Sequence, residues 1–256
     1  MNGWIFAKRS FLHNWRVNLA VILGAAISTA VITGALIVGD SVRGSLLDLT
    51  IERLGKIDEI VLADRFFRRE LADSLEQHDA FKSHYNAAIP VIVLPTASAE
   101  HVSEAGASRA SSVTLVGCES TFWDQDLAQA SRDIELDDQS VVINQPLADQ
   151  LAVAVGDLIT IRLPKVQSVA ADSTLADKSD VSETLAGLEV KRIVPAKGLG
   201  RFSLNPSQHL PLCAFVALEA AQDAMNQPGR VNSILVCSDR VAEYPSPRLD
   251  SSDLLS

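Results

Sequence analysis

LAVILGAAISTAVITGALIV, Leu19 to Val38, is the stretch on which the reading of this chain turns, because it runs for twenty residues without a charge. As a helix rising about 1.5 Å per residue it covers roughly 30 Å, the thickness of a bilayer's hydrocarbon core. The hydroxyls of Ser28, Thr29 and Thr33 are tolerable there, since each can bond a backbone carbonyl one turn back. A cleaved signal peptide is the competing reading, but its apolar core is usually about 7–15 residues, shorter than this run. The expectation is an uncleaved anchor.

The flanks orient it. Lys8, Arg9 and Arg16 precede the span with no acid among residues 1–18, and Asp40 opens the far side. The positive-inside rule then places the N-terminus in the cytoplasm and the rest of the chain outside, as a single-pass protein of the cytoplasmic (inner) membrane. With a net charge of −10 over 256 residues, the basic head sits on an acidic body. A nucleic-acid binder carries its positive charge on the folded domain, so no nucleic-acid partner is expected.

Residues 1–18 read as a cytoplasmic interfacial segment. Trp4, Phe11 and Trp15 fall on one side of a helical wheel, with Arg9, His13 and Arg16 on others, which suits a helix at headgroup depth. A disordered basic leader is the alternative. Inside the span, Ala26, Ala30 and Gly34 are spaced by four, with Gly24 and Ser28 on a neighbouring stripe. Small residues at that spacing let a second helix approach closely, so they form a candidate helix-packing stripe. Ala and Gly are also common in any bilayer helix.

Beyond the span, residues 39–56 read as a helical stalk ending at Gly55, a favourable C-terminal stop. Residues 57–243 read as a mixed α+β domain. Residues 57–63 are the first strand, and RRELADSLEQH is an amphipathic helix with Leu71 and Leu75 on one face. The apolar run AAIPVIVLPTASA is interrupted by Pro90 and Pro95, so an edge position or irregular ends are expected. SSVTLVGC is another strand. SVVINQPLADQLAVAVGDLITIRLP gives strand, short helix capped by Asn144, a turn at Gly156–Asp157, and strand. Residues 165–187, small, polar and acidic, read as a long mobile loop. LEVKRIVPA and VNSILVCS give further strands, GLGRFSLNPSQHLPLCAFVAL holds turns and another strand, LEAAQDAMNQ is a short helix, and residues 244–256 are a disordered tail.

Marks of catalysis are absent. No phosphate loop ends in Lys-Ser or Lys-Thr, Gly198-Leu199-Gly200 reads as a turn, and no GxSxG elbow occurs. His13, His78, His84, His101 and His209 have no metal-ligand spacing, so neither metal nor cofactor is expected. Cys118, Cys213 and Cys237 are an odd count without CxxC; a Cys213–Cys237 disulfide is allowed outside the cytoplasm, but buried free thiols suit these apolar runs better.

Taken in order, the basic N-terminal helix, the span, GDSVRGSLLDLTIERLGKIDEIVLA, VVINQPLADQLAVAVGDLITIRL, RFSLNPSQHLPLCAFVAL and PGRVNSILV resemble the N-terminal part of an ABC transporter permease of the FtsX-like class, with its MacB-like periplasmic core domain. The most telling pieces are Leu54, Gly55 and Asp58 after the span, and the run Asn144, Leu147, Ala148, Leu151, Val153, Val155, Gly156 and Asp157. Where the family commonly has Gly after the second Leu of that run, this chain has Ala152. The resemblance implies a non-catalytic transport component that works with the lipid bilayer, a cytoplasmic ABC ATPase subunit and further permease helices, and a homo-oligomer is compatible with it. No later uncharged run approaches twenty residues, so the expectation is a truncated or split permease. An anchored extracytoplasmic interaction domain without transport activity is the alternative.

Overall fold

The computed structural model describes residues 13–103, 106–127, 134–163, 184–204 and 209–238. It divides into two compact units, Met1–Thr50 and Ile51–Ser256. Most of the expected interfacial segment (residues 1–12), most of the expected loop (165–183) and the whole tail from 244 lie outside the described residues.

The first unit is dominated by helix α1, which is unbroken over Trp15–Leu54. Every side chain from Leu19 to Leu46 is exposed, a state that water would penalise heavily for residues such as Val21, Ile27, Ile32 and Leu36. A bare apolar helix of this length matches a membrane span. Thr29 Oγ1 donates to the Ala25 carbonyl at 2.8 Å, which satisfies the hydroxyl within the helix.

The second unit is a mixed sheet with short helices. In chain order come β1 (Ile57–Arg68), α2 (Glu70–Gln77), α3 (Asp79–Lys82), β2 (Ala87–Ser103), β3 (Gly106–Cys118), β4 (Ser140–Asn144), α4 (Gln145–Leu151), β5 (Leu158–Arg162), β6 (Thr184–Val194), β7 (Leu212–Ala217), α5 (Leu218–Ala224) and β8 (Arg230–Cys237). Short 3-10 helices occupy Ser120–Gln125 and Gly198–Arg201. The strand order is β1-β8-β2-β3-β7-β4-β6-β5, and β5 pairs again with β2. Strands β2, β3, β7, β4, β6 and β5 therefore close a ring, while β8 and β1 extend from β2 as an open wing. This is an α+β arrangement, as the mixture of short elements leads one to expect.

Strand β2 makes this possible, and its prolines stand at the one-sided and irregular places expected of them. Along its length it changes partners: Ala87–Val91 pair with β8, Ile92 onward with β3, and Ser98–Glu100 also with β5. Pro90 is tolerated because its stretch pairs with β8 alone, and Pro95 falls within a register shift between Leu94 and Ala97, where the ladder needs no N–H from it. Ser112, at φ +57°, lies on β3 where its register with β2 slips between Ala110 and Val113. At 17 residues β2 would extend over roughly 55 Å if straight, and these irregularities let it serve both ring and wing. Asn232 on β8 secures the hand-over. Its carboxamide accepts from the Val93 N–H and donates to the Val93 carbonyl, both at 2.9 Å, copying a backbone partner where β8 leaves β2.

Ring closure is tied from outside. Glu100 on β2 takes Arg162 of β5 at 2.9 Å and Arg109 of β3 at 3.4 Å, so one carboxylate bridges three adjacent strands. One core cluster draws buried side chains from all six ring strands, among them Leu94, Val113, Ala214, Ile143, Val190 and Ile161, and so fills the ring. A second lies on the opposite face of β2, β3, β4 and β7, built on Phe122, Trp123, Phe202 and Phe215.

Two readings are corrected. In α2 the buried residue is Ala72, with Leu75 half-buried and Leu71 43% exposed; the contact face is set by Ala88, Ile234 and Val236 beneath Ala72. Residues 184–187, expected in the mobile loop, belong to β6, where Thr184 and Leu185 pair with Arg162 and Ile161 of β5.

Candidate functional site

The three residues of the candidate packing stripe lie on α1. Ala26, Ala30 and Gly34 occupy successive turns of α1, each exposed. A Cβ added at Gly24 or Gly34 would meet nothing within 4 Å. A spacing of four overshoots a 3.6-residue turn by about 40° per step, so the three form a short inclined ridge of low relief. Small residues at this spacing are of the kind that lets another helix approach closely.

The end of α1 forms a second, more elaborate site. Gly55 follows the helix at φ +62°, and its N–H donates to the Ile51 carbonyl at 3.0 Å. That is the left-handed stop glycine allows. A Cβ on Gly55 would also collide with the Gln125 carbonyl oxygen, the same oxygen that accepts from the Lys56 N–H at 3.0 Å. Leu54 packs on the aromatic cluster. There Trp123 and Phe215 lie 4.7 Å apart by ring centroid, and Phe122 meets Trp123 and Phe202 edge-on at 5.2 and 5.7 Å. Such geometry contributes about 0.5–1.5 kcal/mol per pair beyond burial. Next in chain, buried Asp126 accepts from the Leu199 N–H at 3.4 Å, tying this segment to the Gly198–Arg201 turn. Gly200 there is required because a Cβ would strike the Pro195 carbonyl.

Asn144 connects that turn to the ring. It is fully buried; its Oδ1 accepts from the Leu147 N–H at 3.2 Å, capping α4, and from the Cys213 N–H at 3.1 Å. Its Nδ2 donates to the carbonyls of Gly200 at 3.0 Å and Pro211 at 2.7 Å. All four hydrogen-bonding positions of the carboxamide are used. The rest of the Leu147–Asp157 run also has structural work. Leu147, Ala148, Leu151 and Val153 are buried in the ring core, Gly156 turns at φ +97°, and the Asp157 carboxylate accepts from the Ala154 N–H at 2.8 Å. Ala152 takes the left-handed conformation, φ +53°, at the end of α4.

The sequence reading found Leu54, Gly55 and Asn144 but missed Phe122, Trp123, Gln125 and Asp126. A chain with only 5% aromatic residues that places Phe and Trp side by side just after a strand offered the signal. The cysteines are free and buried. Cys213 and Cys237 lie on β7 and β8, with β2 and β3 between them, and both are free. Burial pushes the Cys213 and Cys237 thiols up to about 12 and Cys118 higher still, which disfavours the thiolate. Among the described residues no three His, Cys, Asp or Glu groups gather as metal ligands.

Residues 19–225 match the MacB-like periplasmic core domain family. Comparison with curated proteins finds no sequence match. Among solved structures, the periplasmic region of MacB from Actinobacillus actinomycetemcomitans is 13% identical, with 72% of this chain and 75% of that one aligned at a TM-score of 0.40. The extracellular domain of the noncanonic ABC-type transporter YknZ from Gram-positive bacteria is 11% identical, with 71% and 82% aligned at 0.41. The family match covers the end of α1, the aromatic joint and the Asn144 node together, and on it this chain belongs to the family of MacB-like periplasmic core domains of ABC transporter permeases.

Proposed function

We propose that this chain is a non-catalytic permease component that links a cytoplasmic ABC ATPase to an extracytoplasmic domain. The observation that carries the reading is the continuity of α1, one helix from Trp15 to Leu54, whose last turn is seated by Gly55, Lys56 and Gln125 on a packed aromatic cluster. Within the second unit, the step from the helix end into β1 is closed by hydrogen bonds and steric contact at Gly55 and Lys56. The basic flank before Leu19 puts the N-terminus in the cytoplasm and the ring outside. Ala26, Ala30 and Gly34 receive a helix of the remaining permease, since a single span encloses no path for a polar solute.

Two measurements test it. A Cys substituted for exposed Val155 reacts with a membrane-impermeant maleimide in intact cells; reaction only after permeabilisation overturns the orientation. In membranes containing the assembly, adding ATP changes the signal of a fluorophore at that position, and four glycines inserted between Thr50 and Ile51 abolish the change. No ATP response in the uninterrupted chain overturns the coupling.

A further inference from the structure

The end of α1 and the Gly198–Arg201 turn each carry an arginine, and the two converge. Arg53 is the basic residue of the helix's last turn, and Arg201 closes the 3-10 turn. Their chain neighbours Leu54 and Phe202 pack in one cluster. Cys213, whose thiol donates to the Phe202 carbonyl at 3.3 Å, also lies within electrostatic reach of Arg53. Burial, and after it the charge of Arg201, hold the Arg53 guanidinium below its ordinary value, as crowding of like charges does. The Nε–H of Arg201 is buried and has no hydrogen-bond partner among the described residues. Nor does Arg201 take part in any of the ion pairs there, which use Arg69, Arg109, Arg162 and Lys191. Asp126 is the buried acid of this region, and its Oδ1 is turned to the Leu199 N–H. A buried guanidinium donor without an acceptor is unfavourable, and a second cation beside it adds repulsion.

Both arginines stand on fixed backbone. The Gly200 carbonyl accepts from Asn144 Nδ2 at 3.0 Å, and the Phe202 N–H donates to the Leu199 carbonyl at 3.0 Å. Beyond Arg53, the Gln125 carbonyl holds the Lys56 N–H and closes on Gly55. Donors held in place before a ligand arrives lose little freedom on binding it.

We propose that Arg201 and Arg53 form a receptor for a phosphate group, carried by a free solute or by a lipid headgroup. Each guanidinium is a planar fork of donors. A phosphate offers oxygens to both forks at once, whereas a carboxylate is filled by one. The bound group accepts from the Arg201 Nε–H, and its charge offsets the repulsion between the two cations. The inference concerns the second unit alone and does not depend on the proposed coupling.

The experiment uses the full chain in micelles of a neutral detergent, followed by calorimetry at constant ionic strength. Inorganic phosphate and dihexanoylphosphatidylglycerol are titrated separately, with chloride as the control anion. Saturable binding of at least one phosphate probe is expected, and the tighter of the two identifies the carrier. Arg201→Met deletes the guanidinium and keeps an apolar stem. It should weaken binding at least several-fold and leave the thermal midpoint of the ligand-free protein unchanged or higher, because an unmatched cation has gone. Arg201→Lys keeps the charge without the fork and should also bind several-fold more weakly. Saturable binding of neither probe overturns the proposal, as does an equal response to chloride. So does binding that survives Arg201→Met, or a fall in midpoint in that variant without ligand, which would make Arg201 a structural partner.

Discussion

The Gln125 carbonyl occupies the space a side chain on Gly55 would need, and it also binds the next N–H along, that of Lys56. One oxygen thereby fixes both the identity of the residue that stops α1 and the direction in which the chain enters β1. Gly55→Ala is expected to cost about 1–2 kcal/mol from left-handed backbone strain alone, with the steric clash added. Chemical denaturation of the outer unit should show a loss larger than that of Gly156→Ala, which has strain at φ +97° but nothing within 4 Å. Equal losses would mean that Gln125 yields easily.

Asn144→Ala leaves two N–H groups and two carbonyls without their buried partner. At about 1–3 kcal/mol for each group left dry, the loss should exceed about 3 kcal/mol even if water repairs part of it. Asn144→Asp should fare little better, because it turns a donor toward Gly200 and Pro211 into an acceptor. A denaturation midpoint close to the unsubstituted protein's for either variant would contradict the role given to this residue.

Ala152 sits at φ +53° where the family commonly has Gly. Ala152→Gly relieves the strain at an exposed position and should stabilise the domain by about 0.5–1 kcal/mol, after allowing for the greater freedom of glycine in the unfolded chain. A loss of stability would show that the Ala methyl does something the geometry does not reveal.

The thiols give a pH dependence. The Cys213 and Cys237 pKa values rise from 9.0 to about 12 through burial. In the folded state they hold their protons more tightly than in the unfolded state. Their contribution is therefore fully present below about pH 9 and is lost as pH rises toward 12. Stability should fall over that window, less steeply in Cys213→Ala. At pH 8 iodoacetamide should modify none of the three thiols until denaturant is added; stoichiometric labelling of the native protein would contradict their burial.

Ala30→Leu or Gly34→Leu should fill the low ridge on α1 without lowering hydropathy, so insertion persists while association with partner helices weakens. Unchanged co-purification of membrane partners in both variants would remove the stripe from the account.

The sequence disclosed those parts of the molecule that depend on local chemistry. Charge-free length identified the span, Gly55 the helix stop, Asn144 the cap of α4, and Gly156–Asp157 the turn into β5. What stayed hidden depends on distant partners. Pro90 and Pro95 pointed to an edge position or irregular ends, and both occur, but nothing local told that β2 is shared between ring and wing. Leu71 fitted an apolar face, but Ala88, Ile234 and Val236 present their surface to Ala72 instead. Ring closure through Ser98–Glu100 and Thr160–Arg162 has no local signature. Nor does the approach of Gln125 to Gly55, seventy positions away in the chain.

The most direct measurement is affinity purification of the tagged full-length chain from membranes, with its mass and its companions identified. The account predicts an uncleaved chain recovered together with an ATP-binding subunit and a multi-span membrane protein. Recovery of the uncleaved chain without either would contradict it and leave an anchored interaction domain in place of a transport component.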